Sequence, residues 1–462
     1  MNLKDLPLLP ITRIAGRETS YTLAERMTAY GVPGVSVALF DRGELVEAAG
    51  FGRASIEQPH VATDTLFQAA SMSKVVGAFV VLQLVVDGVL DLDEDVNRKL
   101  RSWHVPENDF TKARPVTLRR ILSHRAGLTG HGFAGYSESK KLPSLPDILN
   151  GTAEAETPPV FVDLLPDSAQ RYSGGGTTIA QLVVEDVTGK SFAAFAEERI
   201  FAPLGLRRST FRIPLPADRL TNIAHRHGPD GAPLETRWNV YPHASAAGLW
   251  TTPSEYGRFL AEIRNARHGR SRILSAAAAR AMLTRHYGDQ RGLGPMVYAD
   301  GVELRYFHDG DNSGFHCAGL MYLDGGHGAV VMTNGMQGPS FWREWLNGAA
   351  ARCGWPGYLE PPLREVALSP DELARYVGDY RVTAGPEWAT WITLLVNHGR
   401  LIGTLVGMPS NVLYAASRTD FRSERTPFTT RFELATDGTP HAVAIMDGTD
   451  VLIRAERRAR GA

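Results

Sequence analysis

One long apolar run constrains the fold of this chain more than any other feature. Residues 75–86 are almost all hydrophobic, contain no proline and include a single glycine, Gly77. A helix that is hydrophobic on every side has to be buried, so the run predicts a central core helix. The tetrapeptide Ser-Met-Ser-Lys at 71–74 stands directly before it, in the expected first turn.

The tetrapeptide has the residue types that nucleophilic catalysis needs. In a helical turn Ser71 and Lys74 lie on one face, so the amine can take the hydroxyl proton. A lysine among apolar side chains has a lowered pKa, and free N–H groups at a helix start favour a developing oxyanion. Ser73 is a rival nucleophile but should point to another face. On these residues alone, a plain N-cap role for Ser71 stays open.

Composition limits the class of protein and its partners. The chain has 462 residues, of which 43% are hydrophobic and 21% charged, as expected for two or three globular domains. A formal net charge of −1 argues against nucleic acid or an anionic membrane as a partner. Two cysteines make no disulfide framework. Because no secretory signal and no membrane-length apolar run is found, we expect a cytoplasmic protein.

Periodicity predicts alternating helices and strands up to about residue 351. A strand hairpin is predicted over 35–49, and further strands over 317–322 and 328–333. Helices are predicted over 17–30, 117–122, 177–188, 192–200, 276–286 and 341–351, and after a capping box at Thr252 and Glu255. The stretch 129–170 has little periodicity, which is typical of long loops that line binding sites.

The C-terminal part has a different pattern. Residues 356–369 are proline-rich and predict a linker. Short alternating segments then recur at 390–396, 400–405, 411–415, 430–434, 441–446 and 450–454. Strands at such regular spacing predict a small all-β barrel or sandwich.

Three motifs in order give the chain a family resemblance. They are Ser71-x-x-Lys74, Tyr172 on a glycine-rich loop before a helix, and His308-Asp309-Gly310 before a strand. Together with 121–128 and 247–252, they resemble the serine β-lactamase and penicillin-binding-protein superfamily. The nearest branch is the class C β-lactamase-like one, which includes family VIII carboxylesterases, D-amino-acid peptidases and amidases, and penicillin-binding-protein-type thioesterase cyclases.

The resemblance implies a fold and a domain order. It covers about residues 17–350, while 373–454 resemble the lipocalin-like barrel often fused behind such a domain. We therefore expect an α/β (α+β) hydrolase domain over 1–355, with an antiparallel sheet flanked by helices plus a helical lobe. A linker over 356–369 and an all-β barrel over 370–462 should follow.

The resemblance also implies roles for individual residues. Ser71 resembles the nucleophile and Lys74 its base. Tyr172 resembles the tyrosine that exchanges a proton with the leaving group and the incoming nucleophile, its phenol partly ionised beside a cation. His308 replaces the lysine of the strand motif as a catalytic position. The backbone N–H groups of Ser71 and Asp311 are expected to form the oxyanion hole.

Substrate-binding positions, as pocket wall or core, are expected at Gly174, Gly310, Trp250 and Phe315. Gly174 stands where the family usually has the asparagine of Tyr-x-Asn, which disfavours β-lactam hydrolysis and predicts a wider pocket. His308 is largely uncharged at neutral pH and should bind a carboxylate weakly. His124 is expected to be structural.

These features predict a serine hydrolase or acyltransferase of small esters or amides, either an esterase or a D-amino-acid amidase or peptidase. One alternative is a penicillin-binding-protein-type thioesterase that cyclises or releases a carrier-bound peptide, which would add a carrier protein to the small-molecule or peptide substrate. An alternative of another class is a non-catalytic penicillin-recognition fold used as a binding module. We expect no metal, no cofactor, no nucleic acid and no membrane as partners.

Overall fold

The computed structural model describes residues 2–58, 60–299 and 303–458. The chain divides into two compact units. The first comprises Met1–Asp5 and Ala24–Trp342, and the second comprises Leu6–Leu23 and Arg343–Ala462. The second unit thus takes in an N-terminal segment in addition to the C-terminal part.

The first unit is built on a six-stranded antiparallel sheet in the order β2-β1-β10-β9-β8-β7. Its strands are β1 (Gly34–Asp41), β2 (Glu44–Gly52), β7 (Met296–Tyr298), β8 (Arg305–Asn312), β9 (Phe315–Tyr322) and β10 (Gly328–Thr333). Two short pairs lie outside it: β3 (Phe67–Gln68) with β6 (Trp250–Thr251), and β4 (Tyr136–Ser137) with β5 (Asn239–Val240). The antiparallel sheet confirms the predicted fold class.

Helices supply the rest of this unit. They are α1 (Leu23–Ala29), α2 (Ser73–Val86), α3 (Asp109–Ala113), α4 (Leu118–Leu122), α5 (Leu145–Asn150), α6 (Gly174–Thr188), α7 (Phe192–Ala196), α8 (Ala202–Leu204), α9 (Ala244–Ala247), α10 (Pro253–Arg267), α11 (Ala276–Met282) and α12 (Gly338–Cys353). Short 3-10 turns span Leu3–Asp5, Ala70–Met72, Val96–Arg98 and Ala217–Arg219, and a π-helical turn spans Glu197–Phe201. The last of these helices, α12, continues into the second unit.

The predicted core helix is α2, and its residues from Ser73 to Leu84 are all buried. Gly77 is not a weak point of this helix. A Cβ there would stand 2.1 Å from Oγ of Ser245, so the glycine is what allows α9 to approach α2 closely. A glycine also allows α10 to approach the sheet closely, since a Cβ on Gly257 of α10 would stand 2.1 Å from the ring of Phe40 on β1.

Three local predictions need correction. The helix expected over 17–30 begins only at Leu23. The glycines after Ser173 form the first turn of α6 and not a loop, because the Ser173 side chain caps them by accepting from the N–H of Gly176. Thr252 caps α10 as expected, but the Glu255 carboxylate accepts from the backbone of 208 and 209.

The second unit holds a closed eight-stranded antiparallel barrel, as predicted. Its strands are β11 (Gly378–Ala384), β12 (Trp391–Asn397), β13 (Arg400–Leu405), β14 (Asn411–Ala415), β15 (Asp420–Ser423), β16 (Thr429–Leu434), β17 (Pro440–Asp447) and β18 (Asp450–Arg457). Six were predicted; β11 and β15 were missed because they are short or partly polar. Helix α13 (Pro370–Tyr376) precedes the barrel, and Tyr376 packs on the core rings of Phe421 and Phe432.

The helices in the described part of the chain were also compared with the length and apolarity that a bilayer requires. None of them meets both conditions for crossing a membrane.

Candidate active site

Ser71 lies in the 3-10 turn directly before the buried helix α2. The residue before it, Ala70, has φ +46°, a left-handed conformation that is strained for a residue with a side chain. Its neighbours Ala70 and Met72 are buried, whereas Ser71 is partly exposed. The turn therefore presents one hydroxyl at the edge of the core, as the sequence predicted.

Lys74 is buried beside this hydroxyl. Its Nζ lies 3.0 Å from Oγ of Ser71 and 2.7 Å from the carbonyl oxygen of Ala246. Only 3% of Lys74 is exposed. Burial, and to a lesser extent the positive charge of Arg291, lower the pKa of Lys74 to about 7. A substantial fraction of this amine is therefore uncharged at neutral pH and able to accept a proton.

Ser73, the rival nucleophile, has a structural role instead. Its hydroxyl donates to the carbonyl oxygen of Ala70 at 2.5 Å and accepts from the N–H of Leu249 at 3.0 Å. It has no exposed surface. Ser73 thus ties the Ser71 turn to the segment before β6 and cannot meet a substrate.

Tyr172 stands just before α6 and faces the same pair. Nζ of Lys74 lies 4.8 Å from the centre of its ring. Burial raises the pKa of the Tyr172 phenol, and this outweighs the opposing hydrogen bond with Ser71 and the charge of Arg291. The expectation of a partly ionised phenol is wrong, because the raised pKa keeps the phenol protonated at neutral pH.

His308 on β8 is fully enclosed near Tyr172, with 6.4 Å between their ring centres. Its Nδ1 lies 2.5 Å from the carbonyl oxygen of Asp309, so Nδ1 carries the proton and Nε2 is a free acceptor. Burial, followed by the charges of Arg291 and Lys74, lowers the pKa of His308 to about 3. Nε2 has no hydrogen-bond partner within the described residues.

Gly310 joins β8 to the nucleophile turn. A Cβ on Gly310 would stand 2.2 Å from the carbonyl oxygen of Ala69 and 2.6 Å from Sγ of Cys317. Only glycine permits this approach. Asp311 follows on the same strand with an exposed side chain. The packing brings the strand to the turn, while the oxyanion role of the Ser71 and Asp311 N–H groups stays a prediction.

Arg291 is a site residue that the sequence did not reveal. It lies between α11 and β7, and its guanidinium carbon is 5.5 Å from the centre of the Tyr172 ring. Its charge acts on Lys74, Tyr172 and His308. Nη1 of Arg291 is buried and has no hydrogen-bond partner within the described part of the chain. No motif marks it, since its position depends on how a loop folds back.

The pocket is not wider at Gly174, contrary to expectation. A Cβ there would stand 3.1 Å from the ring of Phe133 and 3.2 Å from the carbonyl oxygen of His131. Phe133, from the irregular stretch 129–170, fills the space beside the glycine and packs on His243 at 4.0 Å between ring centres. Phe133 therefore leaves little room beside Gly174 for the wider pocket that the sequence predicted.

Trp250 and Phe315, which were expected as pocket wall or core, are both buried in the core. Phe315 has no exposed surface and Trp250 is 6% exposed. Their rings meet edge to face at 5.7 Å, and Phe315 also packs on Phe67. Both rings thus belong to the hydrophobic core, and contact of either ring with a substrate stays a prediction.

Three further imidazoles lie near Lys74 and Tyr172, and burial is the main cause that lowers the pKa of each below its ordinary value. His124 packs on the Tyr172 ring at 4.4 Å, and His131 lies on the same ring at 5.1 Å. Burial lowers the pKa of His243 to about 3. Of these, only His124 belongs to a motif seen in the sequence. Within the described residues, no three His, Cys, Asp or Glu side chains are grouped to hold a metal ion.

Comparison with known proteins agrees with this arrangement. The β-lactamase family model matches residues 21–352. Penicillin-binding protein 4 of Amycolatopsis lactamdurans is 30% identical over 390 residues, which is 78% of this chain and 95% of that protein. The residues that the family model matches include the Ser71, Tyr172 and His308 motifs.

Solved structures share the fold. SurE with D-Leu superposes with a TM-score of 0.58 and 22% identity, covering 94% of this chain and 97% of its own. D-amino acid amidase from Ochrobactrum anthropi SV3, complexed with L-phenylalanine, gives a TM-score of 0.57 at 24% identity, over 71% of this chain and 96% of its own. With the family match over most of its length, the chain belongs to the β-lactamase family, whose members are generally serine hydrolases.

Proposed function

We propose that this protein is a serine hydrolase or acyltransferase that forms an acyl-enzyme at Ser71 with small ester or amide substrates. The observation that carries the proposal is the 3.0 Å contact between Ser71 Oγ and a Lys74 amine whose pKa is about 7. A general base works best when its pKa is near the working pH. A lysine with an ordinary pKa would be a cation and could not take the proton.

The proposed reaction proceeds by acyl transfer in two steps. Neutral Lys74 accepts the hydroxyl proton as Oγ of Ser71 attacks the substrate carbonyl. The N–H groups of Ser71 and Asp311 stabilise the oxyanion. The protonated Tyr172 phenol donates to the leaving oxygen or nitrogen, and the Lys74 ammonium returns a proton to the phenolate. Water, or an amine in a transferase, then resolves the acyl-enzyme with the same groups acting in reverse.

We further propose that the substrate carries a negative charge near the reacting carbonyl. Arg291 supplies a positive charge next to Tyr172, and its Nη1 has no hydrogen-bond partner among the residues that the structure describes, whereas the neutral His308 supplies no charge. A free carboxylate on an amino-acid or peptide substrate would satisfy this guanidinium. Relatives and neighbours named for penicillin binding, a D-amino acid amidase and a complex with D-Leu support D-configured amides or peptides. An esterase is the near rival.

Two alternatives are tested by the same experiment. A thioesterase that cyclises or releases a carrier-bound peptide shares the Ser71 acyl-enzyme but resolves it with an amine of the acyl chain. A non-catalytic binding module would form no acyl-enzyme. The lowered pKa of Lys74 favours catalysis, since a module that only binds has no use for a base at neutral pH.

The test is intact-protein mass spectrometry after rapid quenching. The wild type is mixed separately with p-nitrophenyl butyrate, D- and L-phenylalanine amide, a D-alanyl-D-alanine peptide, benzylpenicillin and a peptide thioester. We expect the most acyl adduct with the D-alanyl-D-alanine peptide, whose carboxylate can bind Arg291, and an adduct with the activated ester, which needs no such contact. D-phenylalanine amide, which has no carboxylate, should react less. We expect little adduct with the L-amide or, because the asparagine of Tyr-x-Asn is missing, with benzylpenicillin, and none in Ser71→Ala.

The matched control is Ser73→Ala, which removes the neighbouring hydroxyl and should still be acylated at Ser71. An adduct that survives in Ser71→Ala would overturn the nucleophile. If the folded wild type forms no adduct with any of these compounds, the binding-module alternative replaces the proposal. A cyclic product from the thioester would favour the cyclase.

A further inference from the structure

His124 makes contacts on three sides of Tyr172. It follows α4, far from Tyr172 in sequence, and is only 2% exposed. Its carbonyl oxygen accepts from the N–H of Arg171 at 2.8 Å, and its ring Nδ1 accepts from the N–H of Ser173 at 3.2 Å. Its ring packs on the phenol ring with 4.4 Å between centres. One residue therefore contacts both chain neighbours of Tyr172 and its ring.

These contacts fix the chemical form of His124. Because Nδ1 accepts a hydrogen bond from a backbone N–H, the proton of the neutral ring is on Nε2. Burial is the main cause that lowers the pKa of His124 well below its ordinary value, and the charges of Arg291 and Lys74 act in the same direction. The ring is a fixed acceptor that does not titrate at neutral pH.

The backbone at His124 is built for this geometry. Its φ is +57°, in the left-handed region, so the chain turns back immediately after α4. The turn lets the carbonyl group and the side chain of His124 both face the segment 171–173. Arg171 is tied to the same segment, since its Nε donates to the carbonyl oxygen of Leu128 at 3.1 Å.

We propose that His124 is a positioning residue that holds the Tyr172 hydroxyl in line with Ser71 by fixing the backbone on both sides of the tyrosine. The inference rests on the proposed acyl transfer at Ser71. It assigns His124 no contact with the substrate. Its side-chain bond to Ser173 sets where the tyrosine lies, and a misplacement of a catalytic group by about 1 Å can cost roughly 100-fold in rate.

Three substitutions separate the hydrogen bond from the packing. In His124→Asn, Oδ1 takes the place of Nδ1 as acceptor, and asparagine tolerates the left-handed conformation. His124→Phe keeps a ring against Tyr172 but leaves the Ser173 N–H unpaired. His124→Ala removes both. The readouts are the rate constant for Ser71 adduct formation with D-phenylalanine amide by rapid-quench mass spectrometry, the KM, and the thermal unfolding midpoint. The amide is used because its nitrogen must take a proton from Tyr172 to leave, whereas p-nitrophenolate leaves without one.

We expect the acylation rate constant of His124→Ala to fall by about 100-fold with KM changed by less than about threefold. His124→Asn should recover most of the loss and His124→Phe should not, although Phe keeps more packing. His131→Ala is the comparison variant. The His131 ring lies 5.1 Å from the same phenol ring, between ring centres, but His131 is not assigned a side-chain hydrogen bond to the backbone around Tyr172. The acylation rate constant of His131→Ala should fall much less than that of His124→Ala.

Three results would overturn the inference. One is a wild-type rate in His124→Ala. Another is acylation of His124→Phe that equals or exceeds that of His124→Asn, and the third is equal losses in the two alanine variants. Failure of the proposed function itself looks different, because the wild type would then give no Ser71 adduct.

Discussion

Lys74 and His308 are both buried basic side chains of one site, yet burial has opposite consequences for them. Lys74 starts from an ordinary pKa near 10.5, and burial brings it to about 7. His308 starts near 6.5, and the same effect takes it to about 3. The helix side of the site, which is Ser71 and Lys74 at the start of α2, therefore holds a base that titrates at neutral pH. The strand side, which is His308 to Asp311 on β8, holds a neutral imidazole that can accept a hydrogen bond through Nε2.

Histidine in place of the lysine of the family's strand motif changes more than the size of the side chain. Two buried amines would repel each other's protonated forms, whereas a neutral His308 leaves Lys74 as the one titrating base of the pair. The positive charge of the site then comes from the guanidinium of Arg291. Proton transfer, hydrogen-bond acceptance and charge are thus divided among three side chains from three segments.

The largest effect should come from removing the base. We expect Lys74→Ala to lower the acylation rate constant by about 100- to 10,000-fold, the range typical of lost general-base catalysis. Lys74→Arg is the matched control, because it keeps a positive charge that cannot act as a base. Burst kinetics with p-nitrophenyl butyrate measure both. A Lys74→Arg enzyme within about tenfold of the wild type would mean that Lys74 acts by its charge alone.

The next largest effect is expected where β8 packs against the turn that carries Ser71, at Gly310. Gly310→Ala puts a Cβ 2.2 Å from the carbonyl oxygen of Ala69, so strand and turn must separate. We expect a loss of about 1–3 kcal/mol in the free energy of unfolding and about 100-fold in acylation rate. Gly132→Ala is the control, since its Cβ meets nothing within 4 Å. Equal urea midpoints for the two variants would contradict the close approach.

The helix side could be predicted from sequence because its parts are adjacent in the chain. Ser71 and Lys74 lie three residues apart, and the apolar run after them predicts a buried helix, whose burial lowers the pKa of Lys74. The burial of α2 from Ser73 to Leu84 and the 3.0 Å contact between Lys74 and Ser71 follow from that local pattern. The barrel was predicted for the same reason, since strand alternation is a local signal.

The strand side could be predicted only in part. The motif at His308 was visible, but the neutral state of the ring depends on how completely α2, α6 and the sheet enclose it. Arg291 and Phe133 come from loops, where no periodicity fixes the path of the chain. Phe133 also explains the error at Gly174, because sequence identifies a missing side chain but not the ring that fills its place.

Arg291 offers a third test, in the pH profile. Its charge lowers the pKa of Lys74, so Arg291→Gln should raise that pKa and move the low-pH limb of kcat/KM to higher pH. Below the limb Lys74 is protonated and inactive; above it the amine is free. A neutral ester isolates this effect from substrate charge. Arg280→Gln, on the exposed side of α11, should leave the limb in place. An unmoved limb in Arg291→Gln would contradict the assigned coupling.

The smallest effect is expected at His308 itself. His308→Gln replaces one neutral acceptor by another, so we expect a loss within about tenfold, the value of one hydrogen bond. The limb near pH 7 should stay, because a group with a pKa of about 3 does not titrate there. His308→Lys is the contrasting variant, because it puts a positive charge where His308→Gln keeps a neutral side chain. A second ammonium group near Lys74 should lower the pKa of Lys74 and move the low-pH limb to lower pH. If instead His308→Gln abolished the limb near pH 7, His308 and not Lys74 would be the base that titrates there.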